Sequence, residues 1–344
     1  MRFGRTRRSS RLLATVLSVA VSVTALSQER AVVVGSGSTT PARLYEAWSR
    51  AFGNQNPAIQ VHYLALSSSE GINEVSLGIG NFGAGEVPLT NQRLEGSRVP
   101  LVSVPTVLIA EVPIYNLPGN PTLNFSGDVL ADIYLGNILN WRDPRIARLN
   151  PSLTLPDLSI AVVHRTPGKG SNFVFTDFLS KTNAQFRARV GKSASPHWPL
   201  GTEAETWQDM AKKVAATEGS IGYMELSFAH RYGIAYGRVQ NASGRFVAAT
   251  PASITAACTS SDQALDQSIT NAPGVNSYPM ASFSWIYVPT ANTFPRRSAL
   301  LQFLAWSLQE GQQMVTDLGY TPLPARVAAK ALSLVQSLPE RNSD

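Results

Sequence analysis

The sequence predicts an α/β fold, and three observations carry that expectation. β-Branched apolar runs recur along the chain, at Val32, Val33 and Val34 and again over residues 160–163, and such residues suit a pleated, covered surface. Each run leads into a loop rich in Gly and Ser, and then into apolar residues at the 3–4 spacing of a helix. The composition, 44% apolar and 15% charged over 344 residues, is that of a globular protein with room for two domains or one large one.

The first residues read as a leader rather than as fold. Arg2, Arg5, Arg7, Arg8 and Arg11 precede an apolar stretch from Leu12 to Leu26, and Ala25 and Ser27 are small residues placed for cleavage after Ser27. That is a secretory signal peptide over 1–27. A membrane anchor is the other reading, but about 15 residues falls short of the roughly 20 that a spanning helix needs. The formal net charge of +6 includes those five arginines, so the mature chain carries +1, and a nucleic-acid surface is not supported. Cys258 is the only cysteine, so no internal disulfide forms. His62, His164, His197 and His230 lack ligand spacing, and neither a metal nor a cofactor is expected. The expected location is periplasmic or extracellular.

The first loop follows Val34 and reads Gly35-Ser36-Gly37-Ser38-Thr39-Thr40, before Pro41 at the predicted first helical position. Leu44, Trp48, Ala51 and Phe52 make the buried face of that helix, with Thr39 or Thr40 as its cap. Capping explains one or two of these hydroxyls, not all of them. The third glycine of a dinucleotide fingerprint and the Gly-Lys-Ser/Thr of a P-loop are both missing. The second loop follows a strand over residues 59–64 and reads Ser67-Ser68-Ser69-Glu70, with Ser67 and Glu70 at capping-box spacing. No Gly-x-Ser-x-Gly elbow is present, so a nucleophilic serine is not indicated. Glu86 then sits in a short turn. It reads either as a surface acid or as an acceptor that favours an anion still carrying a proton, because a carboxylate can only accept.

The third loop is the most informative. After the strand come Arg165, then Gly168, Lys169 and Gly170, then Ser171 heading a helix that buries Val174, Phe175, Phe178 and Leu179. A strand, a cation, a flexible loop and free helix-start N–H groups describe an anion cradle. Residues 104–112 predict a strand ended by Pro113, and residues 282–288 predict another. Residues 297–311 and 327–338 predict helices, the chain frays over 339–344, and Trp141, Trp198, Trp207 and Trp285 read as core.

Collinear motifs extend this picture from Val32 to Pro324: Gly-Ser-Gly-Ser-Thr-Thr-Pro-Ala at 35–42, Asn-Phe-Gly-Ala at 81–84, Asp-Ile-Tyr-Leu-Gly-Asn-Ile at 132–138, Gly-Ser-Ile-Gly-Tyr at 219–223 and Gly-Tyr-Thr-Pro-Leu-Pro at 319–324. In these the chain resembles the periplasmic phosphate-binding protein of the bacterial ABC phosphate importer. The resemblance implies a two-lobe periplasmic-binding-protein fold of type II, its lobes joined by a hinge of two crossing strands. Lobe one would be 31–112 plus 283–338 and lobe two 113–282. It implies a non-enzymatic, monomeric protein that closes over inorganic phosphate and delivers it to a membrane permease. Position by position it implicates Thr39, Thr40, Ser68, Glu86, Arg165, Lys169, Gly170 and Ser171 as phosphate ligands. Two departures stand out: Glu86 replaces an aspartate, and the third loop has Pro167 for an acid and Lys169 for a hydroxyl donor. Both third-loop changes make the site more positive, and Lys169 is expected to reach Glu86 across the cleft. The alternatives are another tetrahedral oxyanion or a phosphonate as ligand, a phosphate-ester hydrolase, or a surface protein without ligand.

Overall fold

The structure is a computed structural model that describes residues 1, 4, 30–89, 97–261, 264–291 and 296–339. The leader expected over 1–27, apart from Met1 and Gly4, and the expected tail beyond Pro339 lie outside the described residues. The five predicted strands form as β1 (Ala31–Gly37), β2 (Ile59–Ala65), β4 (Leu101–Tyr115), β6 (Ala161–Arg165) and β11 (Ala281–Pro289), and β3 (Phe82–Gly85) and β8 (Ser220–Glu225) join them without having been predicted as strands. With the short β7 (Thr202–Ala204) they make an eight-stranded sheet in the order β2-β1-β3-β11-β4-β8-β6-β7. β5 (Asn124–Phe125), β9 (Arg238–Gln240) and β10 (Phe246–Val247) form a small separate sheet.

The topology divides this sheet into two α/β lobes that share β4. Residues 101–110 of β4 pair antiparallel with β11, and residues 111–115 pair antiparallel with β8. β1, β2 and β3 run parallel in one lobe, and β6, β7 and β8 run parallel in the other. Parallel strands put their loop and helix starts on one edge, where ligands of open α/β sheets bind. β4 also corrects the sequence reading, because Pro113 does not end it. The Pro113 carbonyl accepts from Gly237 N (3.0 Å), on the side away from β8. The position of the missing N–H therefore faces that neighbouring segment and not the β8 ladder.

Helices cover both lobes. α1 (Ala42–Gln55) buries Leu44, Trp48 and Phe52 as expected, with Tyr45 in addition, while Ala51 is only half-buried. It starts one residue after Pro41, which takes the cap position and has no side-chain acceptor, so neither Thr39 nor Thr40 caps it; Thr40 donates its own N–H to Ser38 Oγ (3.1 Å). Phe52 meets Phe303 and Trp306 of α10 (Arg297–Leu308) edge-on at 5.5 and 5.8 Å. In the other lobe, α5 (Gly170–Thr182) lays Phe175 on Tyr223 of β8 at 4.3 Å, with Tyr134 of α3 (Gly127–Tyr134) at 4.8 Å. Each such ring contributes about 1.5–3 kcal/mol of burial. α2 (Ser68–Ser76) buries Ile72 and Val75, whereas Leu77 and Ile79, past its end, are exposed. The remaining helices are α4 (Pro144–Leu149), α6 (Ala184–Arg189), α7 (Trp207–Ala216), α8 (Leu226–Tyr232), α9 (Pro251–Thr259) and α11 (Ala325–Ser337). Among the described residues no helix is long and apolar enough to cross a membrane.

Candidate functional site

The main chain of the first loop is pinned at three points. Ser38 N donates to Ala84 O (3.0 Å), Tyr63 Oη donates to Ser38 O (2.7 Å), and Tyr320 Oη donates to Thr40 O (2.7 Å). Thr40 is buried and Thr39 half-buried. The second loop ends on Ser67, whose hydroxyl accepts from Glu70 N (3.1 Å) and donates to the Glu70 carboxylate (2.6 Å). That start to α2 places the Ser68 side chain in the interior.

Both loops converge on Glu86, just past β3 and fully buried. Ser38 Oγ (2.7 Å) and Ser68 Oγ (3.0 Å) donate to its Oε2, and Ser284 Oγ of β11 donates to Oε1 (3.0 Å). Burial pushes the carboxyl pKa above its ordinary value, and the three hydroxyls offset this in part. Glu86 is therefore not the surface acid that the turn also allowed. Ser38 and Ser284 were not among the expected site residues. Ser38 lies inside the hydroxyl-rich loop and was legible there, whereas Ser284 is one inward position of β11 with no local signal.

The third loop supplies the opposite wall. Arg165 closes β6 and is buried; its Nε donates to Ala204 O (3.1 Å), its Nη2 to Glu205 O (2.8 Å), and its guanidinium lies 4.0 Å above the Trp207 ring. Trp207, read as core from the sequence, is therefore also the platform of this cation. Carbonyls at the end of β7 thus orient the guanidinium. Arg165 Nη1 and Ser171 Oγ are buried and have no hydrogen-bond partner. The first-turn N–H groups of α5 begin at the same place, since Lys169 caps the helix without a side-chain bond.

Lys169 does not pair with Glu86. Its Nζ is 2.6 Å from Glu205 Oε1 and 3.4 Å from Leu66 O. Glu86 already accepts from three serines, while Glu205 is an exposed carboxylate that this ammonium and Thr166 hold below the usual range. The extra charge expected at Lys169 is thus balanced locally. The two walls touch: Ser69 N donates to Gly168 O (3.1 Å), and Gly168 has the left-handed φ of 87°. A Cβ on Gly170 would lie 2.0 Å from Glu86 Oε2 and 2.4 Å from Ser68 Oγ. Glu86, Ser68 and Gly170 are therefore brought together from both lobes. Ser171 follows Gly170 in α5, Arg165 closes the strand that leads into this loop, Thr40 adjoins through its backbone, and Lys169 lies on the rim.

Comparison with known proteins agrees with this geometry. The model of the PBP superfamily domain matches residues 22–310. The phosphate-binding protein PstS of Pasteurella multocida is 32% identical over 324 residues, covering 92% of this chain and 93% of that protein. That of Xylella fastidiosa is 33% identical over 301 residues, covering 85% and 81%. The crystal structure of a high-affinity periplasmic phosphate-binding protein (PfluDING) bound with phosphate shares the fold, with a TM-score of 0.68 at 17% identity over 91% of this chain and 100% of the other. Two lobes meeting at a donor-lined cleft and a match over nearly the whole chain place it in the PBP superfamily, and the chain belongs to the PstS family of phosphate-binding proteins.

Proposed function

We propose that the chain is a periplasmic solute-binding protein, not an enzyme, that captures inorganic phosphate between its lobes and delivers it as a monomer to the membrane permease of an ABC importer. The observation that carries the reading is the pair of buried, unpartnered donors, Arg165 Nη1 and Ser171 Oγ, beside the start of α5. Leaving buried donors unpaired costs about 1–3 kcal/mol each, so a bound oxyanion that satisfies them is strongly favoured. Arg165 supplies the charge, and Thr39, Thr40, Ser68, Gly170 and Ser171 supply N–H and hydroxyl donors. Glu86 accepts a proton borne by the ligand, which disfavours fully ionised sulfate. Lys169, held by Glu205, adds its charge from the rim. Lobe one is 31–112 plus 283–338 and lobe two 113–282, a division supported by the change of partner along β4 between Ala110 and Glu111. The lobes interconvert between open and closed forms, and a ligand touching both walls shifts the population toward the closed one.

Calorimetric titration of the anion-stripped protein with phosphate and then sulfate tests this. Tight phosphate binding with sulfate binding weaker by about 10- to 100-fold is expected, the size of one lost charge-assisted hydrogen bond. Binding of neither anion contradicts the function. An aryl phosphate assay is expected to show no turnover, and a rate abolished by Ser68→Ala would favour a hydrolase instead.

A further inference from the structure

The ladder between β4 and β11 breaks its register beside Glu86. Ser284 is the partner of Val107 and Trp285 that of Pro105, so Thr106 is an extra residue, a β-bulge on β4. Pro105 has no N–H to give a ladder, and prolines inside sheets gather at such places. Side chains hold the bulge instead. Thr106 Oγ1 donates to the Ser284 carbonyl (3.0 Å), and the Thr106 carbonyl accepts from Gln312 Nε2 (3.0 Å). Because the one hydroxyl proton of Thr106 goes to Ser284 O, the 2.7 Å contact with Tyr45 Oη has Tyr45 as donor. Tyr45 Oη also lies 3.5 Å from Ser284 Oγ, so Thr106 and Ser284 turn their side chains to the same side, toward α1. Ser284 Oγ in turn donates to Glu86 Oε1 (3.0 Å). Tyr45, Thr106, Ser284 and Glu86 thus form one fully buried chain that ends in the candidate site. The two oxygens of Glu86 have different tasks. Oε1 is held by Ser284, while Oε2, bonded by Ser38 and Ser68, is the one that Gly170 of the opposite wall approaches.

We propose that Thr106 and Ser284 are positioning residues for anion selection: the bulge aims the Ser284 hydroxyl at Glu86 Oε1 and so fixes the carboxylate with Oε2 toward Gly170 and the bound anion. This rests on the phosphate-capture reading, with Glu86 as acceptor for a ligand hydroxyl. Both residues act through Glu86 rather than on the ligand. β-Bulges next to binding sites re-aim side chains in this way, and a glutamate has three side-chain torsions to fix before its carboxylate can discriminate. A carboxylate that swings away loses its bond to a phosphate hydroxyl, whereas sulfate has no hydroxyl and nothing to lose. Disturbing the bulge therefore changes the choice between the two anions and not anion affinity in general.

The test is calorimetric titration of wild type, Ser284→Ala, Thr106→Val and Thr106→Ser with inorganic phosphate and with sulfate, melting being followed alongside. Ser284→Ala is expected to lower phosphate affinity about 5- to 10-fold, the size of one hydrogen bond, with sulfate affinity unchanged. Thr106→Val keeps the shape of the side chain and removes its hydroxyl, and it is expected to move the phosphate-to-sulfate ratio in the same direction. Thr106→Ser restores the hydroxyl and is expected to keep the wild-type ratio. An equal loss for both anions in Ser284→Ala overturns the inference, because the residue then serves only stability. A ratio that Ser284→Ala moves and Thr106→Val does not, or that Thr106→Ser fails to restore, overturns the part assigned to the bulge. Each of these results leaves phosphate capture intact, whereas absence of phosphate binding by wild type contradicts the capture reading itself. Should Ser284→Ala fail to fold, the contrast between Thr106→Val and Thr106→Ser decides alone.

Discussion

Gly170 has no room for a side chain. A methyl group there would sit 2.0 Å from Glu86 Oε2, so Gly170→Ala should fold, alanine being the better helix former, yet hold the walls apart. A fall in phosphate affinity of about 100-fold or more is expected by calorimetry, from the lost charge-assisted contacts across the cleft. Unchanged affinity would mean that the walls do not meet in the bound form. Trp207 offers a second test, since removing the face under a buried guanidinium costs about 1–2 kcal/mol. Trp207→Ala should therefore weaken binding by roughly 5- to 30-fold, with melting measured alongside to separate lost packing from lost affinity. The residues that follow their own strands, Ser68, Glu86, Arg165 and Ser171, were legible in the sequence because motif and strand end coincide. Ser284, Trp207 and Glu205 were not, because each arrives from a distant segment and carries no local signature of its task.

The third loop acts as an element rather than as single residues. Its Gly168 carbonyl and Lys169 ammonium bond to the backbone of the second loop at Ser69 N and Leu66 O, joining the lobes directly. Lys169→Ala should therefore speed phosphate release by about 3- to 10-fold, the worth of one modest hydrogen bond, with little change in association rate. Stopped-flow displacement measures this, and an effect confined to association would point to long-range attraction instead. Strand existence was readable wherever β-branched residues cluster. The end of β4 was not, because whether Pro113 breaks a strand depends on which side its nitrogen faces, and that side is set by the 235–237 segment far along the chain.

At the scale of the molecule, three buried carboxyls gather where β4 changes partners. Burial pushes the Glu225 carboxyl up to about 8 and raises Glu86 and Glu111 as well. A raised carboxyl pKa stabilises the folded state at pH values below the unfolded pKa. That stability is lost as pH rises through the folded pKa. Melting of the ligand-free protein should therefore drop by roughly 5–10 °C between about pH 5 and about pH 9, and Glu225→Gln should reduce the drop. A melting temperature that rises over this range would reverse the sign and contradict a raised pKa at the buried Glu225 carboxyl. The two-lobe architecture was legible only through motifs spread over the whole chain, since no local pattern shows that one sheet is shared by both lobes through a single strand.

The most direct test is a crystal structure grown with arsenate, a tetrahedral oxyanion with the shape and protons of phosphate whose anomalous scattering fixes its position. A single arsenic peak is expected within hydrogen-bonding reach of Arg165 Nη1, Ser171 Oγ and Glu86, with both lobes in contact. A peak elsewhere, or no peak between the lobes at saturating arsenate, would contradict capture at this cleft.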